Sequence, residues 1–156
     1  MMRRGLLWLS QQQRVFSFVK QNPLARRFAS RFVAGETIDE GVAAAAELKG
    51  RGITASLDLL GESVTSPAEA MAAKDEYLVM LDRLAASGAE VNVSVKLTQM
   101  GFDIDEELCG RNMREILDRA AALGGFVRLD MESSAYTQRT LDFFYYLVGT
   151  FISVCF

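Results

Sequence analysis

The sequence predicts an α/β protein, specifically an incomplete (β/α)8 TIM-type barrel preceded by N-terminal helices. Strand-like segments begin at residues 53, 91 and 126, and a helix-like segment follows each of them. Strands that alternate with helices imply a parallel sheet. Each strand also has one apolar and one more polar face, which suits a barrel lined by a single face better than a doubly wound sheet.

The sequence contains too few predicted strands to form a complete barrel. The 156 residues supply three βα units, or four strands if the apolar tail over residues 148–156 is extended. A complete barrel has eight strands and typically about 250 residues. We therefore expect the front portion of a larger barrel enzyme, with N-terminal helices over residues 1–36 and a truncated barrel domain over residues 37–156.

The helices of the barrel domain are predicted from their starts and stops. Thr37 and Glu40 have the spacing of a capping box, and Ser66 followed by Pro67 is typical of a helix start. The predicted helices cover residues 37–49, 66–87, 111–123 and 136–147. An aromatic run at residues 143–146 is interpreted as core packing of the last helix.

Composition excludes several kinds of function. The net charge of −3 provides no basic surface for nucleic acid, and two cysteines are too few for a disulfide framework, so a reducing, cytoplasmic location is expected. The 156 residues contain no histidine, which excludes Ser-His-Asp, Cys-His and histidine-rich metal chemistry here. No metal site is expected, and no stretch of about 20 apolar residues predicts a transmembrane helix.

Ionisable residues lie near the carboxyl end of each predicted strand, on its polar face: Asp58, Lys96 and Asp130. In a barrel these ends converge on the mouth, where active sites lie. A lysine between two carboxylates stays charged and could anchor a carboxylate ligand. A buried ion-pair network without a ligand is the alternative. Function is the favoured interpretation for Lys96 and Asp130, whereas Asp58 could simply orient Lys96.

Four segments, in order and with similar spacing, resemble flavin-dependent proline dehydrogenase of the monofunctional bacterial type. The likeness covers about residues 27–147. The segments are residues 31–36 (RFVAGE), 57–62 (LDLLGE), 94–98 (SVKLT) and 129–132 (LDME).

The resemblance implies a distorted barrel that holds FAD and oxidises L-proline to 1-pyrroline-5-carboxylate, with electrons passing to membrane quinone. Matched by position, Lys96 pairs with the proline carboxylate, Asp130 is the catalytic carboxylate and Met131 contacts the flavin. Strand alternation points Met131 towards the helices, so a backbone contact is expected there. A cytoplasmic enzyme is implied, with peripheral contact at the inner face of the cell membrane as a further option.

The resemblance ends after Leu147, before the family's Val-Lys-Gly-Ala-Tyr flavin segment and the arginines of its final helix. Hydride transfer needs proline held against the flavin in a closed pocket. We therefore expect this chain alone to be inactive. The alternative hypothesis is a non-catalytic binding or interaction protein of open α/β form.

Overall fold

A computed structural model describes residues 34–61 and 64–150 of the chain. Helices and strands alternate along these residues. They are α1 (Ile38–Gly50), β1 (Leu57–Asp58), α2 (Pro67–Ser87), β2 (Asn92–Val95), α3 (Glu106–Ala122), β3 (Phe126–Leu129) and α4 (Thr137–Thr150). The N-terminal helices predicted over residues 1–36 fall almost wholly outside the described residues, as does the end of the tail, residues 151–156.

The three described strands form one parallel sheet in the order β1-β2-β3. Leu57 pairs with Val93 at the first junction, and Val93 pairs with Val127 at the second. Strands that follow one another in sequence are therefore neighbours in the sheet, with a helix in each connection. This confirms the predicted α/β class and the parallel sheet.

Two helices begin where their sequence signals predict. The Thr37 hydroxyl accepts a hydrogen bond from the Glu40 amide at 3.3 Å, while the Glu40 carboxylate accepts one from the Thr37 amide at 3.2 Å. This reciprocal pair is the predicted capping box of α1. Ser66 caps α2 in the same way, accepting from the Glu69 amide at 3.3 Å, with Pro67 in the first turn.

The first strand is shorter than predicted. The pattern over residues 53–60 indicates eight residues, but only Leu57–Asp58 pairs with β2. Among the described strands β1 lies at the edge of the sheet and has one neighbour, and Ile53 is 45% exposed. Alternation predicts which face a residue takes, but ladder length depends on the partner strand.

The predicted start of the third helix, near Arg111, was wrong. Helix α3 begins at Glu106, and Asp105 caps it by accepting from the Glu107 amide at 2.9 Å. Gly110 resembles a helix-breaking residue in the sequence, but it is buried inside the helix, close to the Tyr146 ring.

Helix α4 extends further than predicted, through Val148 to Thr150, so the first part of the tail is helical rather than extended. The aromatic run at residues 143–146 lies within this helix, and its four side chains have two kinds of environment. Phe143 and Phe144 are buried as predicted, and the Phe143 ring meets that of Phe102 edge-on at 5.1 Å. Tyr145 and Tyr146 are exposed, so core packing applies to only half of the run.

The hydrophobic core lies between the helices and one face of the sheet. Val93 and Val95 of β2 point into it, together with Leu81 and Leu84 of α2 and Ile116 of α3. Helix α2 packs against both α1 and α3. The alternate residues of β2, Asn92 and Ser94, are only partly buried on the opposite face. The site is built where that polar face reaches the carboxyl ends of the strands.

Candidate active site

The structure brings together the three ionisable residues of the strand ends. Asp58 is the last residue of β1, Lys96 follows β2 directly, and Asp130 follows β3 directly. The Asp130 amide donates to the Val95 carbonyl at 2.9 Å, which continues the ladder to the base of the site. In a parallel sheet these ends lie at one edge, so short side chains from neighbouring strands can meet there.

The Lys96 ammonium lies between the two carboxylates. Its Nζ donates to Asp58 Oδ2 and is 3.3 Å from Asp130 Oδ2. The Lys96 side chain is 16% exposed, whereas those of Asp58 and Asp130 are 32% and 45% exposed. An ammonium has three donors, so two carboxylates leave one donor for a ligand. The ammonium is therefore largely shielded from solvent by its partners, whereas the two carboxylates remain accessible to solvent.

The surroundings of Lys96 keep it positively charged. Partial burial alone would lower the pKa of Lys96, but the hydrogen bond and charge of Asp58, followed by those of Asp130, outweigh burial and raise it. At neutral pH the group is therefore an ammonium, which can donate hydrogen bonds to an anion but is not a candidate general base.

Tyr77 of α2 holds the second oxygen of Asp58. Its hydroxyl lies 3.2 Å from Asp58 Oδ1 and 2.8 Å from the Ser94 carbonyl, and the side chain is fully buried. Burial, followed by the negative charge of Asp58, raises the pKa of Tyr77, so the hydroxyl keeps its proton. The sequence prediction missed this residue, although Tyr77 is the only aromatic residue in α2 and a buried tyrosine hydroxyl usually has a partner.

Hydrogen bonds of Glu132 connect the segment after β3 to the segment that follows β2. Its carboxylate accepts from the Thr98 amide at 3.2 Å and from the Thr98 hydroxyl. Met131 lies between Asp130 and Glu132 in sequence, and its side chain is 53% exposed. Met131 is therefore not packed against the helices as strand alternation predicted, because β3 ends at Leu129 and alternation does not extend to residue 131. An exposed thioether can pack against an aromatic ring, so Met131 is compatible with the flavin contact that the resemblance implies.

Two further observations concern the described residues only. They contain no group of three or more His, Cys, Asp or Glu side chains placed to hold a metal ion. None of the described helices combines the length and apolar character needed to cross a membrane.

Active sites of α/β enzymes lie at the carboxyl ends of parallel strands, and the charged cluster of this α/β protein lies at the same place. Comparison with known proteins identifies the family. The family profile of proline dehydrogenase matches residues 42–151. The chain is 35% identical over 152 residues to proline dehydrogenase of Deinococcus radiodurans and 34% identical over 144 residues to proline dehydrogenase 1 of Bacillus subtilis strain 168.

These alignments cover 96% and 92% of the chain, but 48% and 47% of the relatives. The chain thus spans about half the length of the curated relatives it matches. The fold is also similar to proline utilization A from Bdellovibrio bacteriovorus, solved after inactivation by N-propargylglycine. That match has a TM-score of 0.72 and 26% identity, and covers 85% of this chain and 16% of the other. The chain belongs to the proline dehydrogenase family, a family of oxidoreductases.

Proposed function

We propose that this chain supplies the substrate-anchoring lysine and the catalytic carboxylate of an FAD-dependent proline dehydrogenase. The reaction is the oxidation of L-proline to 1-pyrroline-5-carboxylate in the breakdown of proline to glutamate. One observation carries the proposal: the Lys96 ammonium lies between Asp58 and Asp130 at the carboxyl ends of three parallel strands. The sheet is proposed to be three strands of a (β/α)8 barrel, with its polar face turned inward.

The charges of the cluster suit a zwitterion. One ammonium and two carboxylates give a net charge of −1, and L-proline has a carboxylate and a secondary ammonium. The remaining donor of Lys96 would bind the carboxylate of proline. Asp130, 45% exposed, would face the proline nitrogen. Asp58 is the less exposed of the two carboxylates and supports Lys96 rather than contacting substrate.

The oxidation removes a hydride from the ring carbon next to nitrogen and a proton from nitrogen, leaving a C=N bond. FAD, when bound, supplies the hydride acceptor. Asp130 would orient the nitrogen and receive its hydrogen bond, and Lys96 would fix the other end of the ring. Met131, 53% exposed beside Asp130, would contact the flavin. Family membership supports these roles and favours an enzyme over a non-catalytic α/β binding protein.

Quinone is the proposed final electron acceptor, reached by peripheral contact of a cytoplasmic enzyme with the inner face of the cell membrane. The resemblance described above supports this part of the proposal. Measuring the reduction of a soluble quinone against that of an artificial dye would test it.

The 156 residues alone are proposed to be insufficient for turnover. Asp130 and Met131 remain about half exposed on the open side of the sheet, whereas hydride transfer needs a closed, oriented pocket. The chain mixed with FAD should therefore show no bleaching of flavin absorbance when L-proline is added. Proline-dependent bleaching would contradict this expectation.

A chimaera tests the roles of the residues. This chain would replace the matched segment of the Deinococcus radiodurans enzyme, and flavin absorbance would show whether the product has folded. Lys96→Met should lower kcat/KM for L-proline by about 10- to 100-fold, because a charge-assisted hydrogen bond contributes about 1.5–3 kcal/mol.

Lys74→Met is the matched control for this experiment. The Lys74 ammonium also contacts two carboxylates, Asp75 at 2.6 Å and Glu115 at 2.8 Å, but it lies on the helix layer. This control should retain activity. A flavin-loaded chimaera that does not oxidise proline, or one in which the two variants behave alike, would refute the proposed function.

A further inference from the structure

We infer that Tyr77 is a positioning residue: its hydroxyl fixes the Asp58 carboxylate, and through Asp58 it holds the Lys96 ammonium in place. This inference rests on the proposed function, because its importance comes from Lys96 as the substrate anchor. Tyr77 lies on α2 and its side chain is fully buried, so it is not exposed to a ligand that approaches the cluster from solvent.

The two oxygens of Asp58 have different partners. Oδ2 accepts from Lys96, and Oδ1 lies 3.2 Å from the Tyr77 hydroxyl. That hydroxyl has one proton, which it shares between Asp58 Oδ1, the Ser94 carbonyl at 2.8 Å and the Gln99 side-chain oxygen at 3.4 Å. A carboxylate held at one oxygen can rotate about its side-chain bonds, whereas one held at both oxygens cannot turn without losing a bond. The Tyr77 hydroxyl therefore restrains the direction in which Oδ2 faces.

The position of β1 makes such support necessary. The strand has two residues, and Asp58 is the second of them, paired in register with Ser94. Tyr77 also lies 2.8 Å from the Ser94 carbonyl, so its hydroxyl spans β1 and β2 at that register pair. A ladder this short restrains the side chain of its last residue weakly, and the buried hydroxyl adds a fixed point.

A purely structural role is the competing explanation, since Tyr77 fills the core and satisfies a buried carbonyl. Tyr77→Phe keeps the ring and removes only the hydroxyl, and either role predicts some loss of stability. The mobility of the Lys96 ammonium distinguishes the two roles, because only the positioning role changes the pairing of Lys96.

The readout is the solvent exchange of lysine ammonium protons in this 156-residue chain, followed by 15N NMR at neutral pH and low temperature. Lys74, 13% exposed with two carboxylate partners, is an internal reference. Tyr77→Phe removes the hydrogen bond from the Tyr77 hydroxyl to Asp58, and one hydrogen bond corresponds to a factor of about two to ten. Exchange at Lys96 should accelerate by about that factor, and exchange at Lys74 should be unchanged. The NMR signal of the Lys96 ammonium is identified as the one that disappears in Lys96→Met.

A double-mutant cycle then tests whether Tyr77 acts through Asp58. Asp58→Ala should also accelerate exchange at Lys96, and adding Tyr77→Phe to it should have no further effect. Tyr136→Phe is the matched control, since it removes a hydroxyl that donates to Asp103, away from Lys96. It should leave Lys96 exchange unchanged.

Three results would overturn the inference: an unchanged rate in Tyr77→Phe, additive effects in the double variant, or a wild-type Lys96 that exchanges like a free lysine. These rates do not depend on catalysis. The chimaera experiment can therefore refute the proposed function while the Tyr77 result stands, and the reverse also holds.

Discussion

Replacing Lys96 by methionine should destabilise the chain, and by more than the same replacement at Lys74. The substitution keeps most of the side-chain length and removes the ammonium. It leaves Asp58 and Asp130 facing each other without the cation that both of them contact. Removing one partner from a partly buried ion pair is costly because the remaining charge has already lost solvent.

The geometry bounds the size of this effect. At 3.3 Å the attraction between Lys96 and Asp130 is about 5 kcal/mol at an effective dielectric of about 20, and about 1 kcal/mol in bulk water. Burial of Lys96 and the fixing of its long side chain offset part of that attraction. The carboxylates of Asp58 and Asp130 are 32% and 45% exposed, which places the pairs between the surface and buried cases. We expect a net loss of about 1–3 kcal/mol.

Lys74 makes the comparison specific. Its side chain is 13% exposed, close to the 16% of Lys96, and its ammonium also has two carboxylate partners. Those partners, Asp75 and Glu115, are 66% and 54% exposed, so water screens both pairs. Exposed pairs of this kind contribute about 1 kcal/mol or less. Lys74→Met should therefore cost less than Lys96→Met.

Urea unfolding at pH 7, followed by circular dichroism, measures both free energies of unfolding. The m-values should match that of the wild type, so that midpoints can be compared directly. Equal costs for the two variants, or a Lys96→Met chain more stable than the wild type, would refute the reasoning from partner exposure.

Two further predictions concern packing and pH. Gly125→Ala should destabilise the chain by about 1–3 kcal/mol in urea unfolding, because its Cβ would lie 2.5 Å from Val91 Cγ1 and 2.8 Å from the Val91 carbonyl. Gly50→Ala, where a Cβ meets nothing within 4 Å, should be neutral or stabilising, and similar losses in the two variants would contradict the packing argument. Stability should also fall above about pH 10, since folding raises the pKa of Tyr77 above its ordinary 10.0 and that of Lys96 above 10.5. A folded state with the higher pKa binds protons more tightly, so this contribution is complete below pH 10 and is lost as pH rises. Urea midpoints at pH 8 and about pH 11 measure the fall, which should be smaller in Tyr77→Phe; equal falls would contradict this assignment.

Local signals predicted much of the fold. The capping box at Thr37 and the Ser66-Pro67 start depend on hydrogen bonds within one turn, so neighbouring residues are enough to predict them. Alternation along β2 depends only on strand geometry, and it predicted correctly that Val93 and Val95 face the core. Because parallel strand ends share an edge, the same alternation pointed to Lys96 and its two carboxylates as one cluster.

Contacts between distant residues explain the features that were missed. The length of β1 depends on how far β2 runs beside it, and Gly110 is accepted inside α3 where Tyr146 packs close by. Tyr77 follows Asp58 by 19 residues, and its hydroxyl meets that carboxylate only after α2 packs on the sheet. No short-range pattern records such a contact, although a single aromatic residue in a helix rich in alanine and leucine indicates that a partner should be sought.

The proposed substrate anchor depends on one ammonium, that of Lys96, being shared by the carboxylates of the two strands that flank β2. Proton exchange at Lys96 measures this sharing most directly when each carboxylate is removed in turn. Asp58→Ala and Asp130→Ala should each accelerate exchange at Lys96 and leave Lys74 unchanged, because each carboxylate contacts the same Nζ. If Lys96 exchange is unaffected by the loss of Asp130, the two residues are not paired and the proposed substrate anchor is wrong.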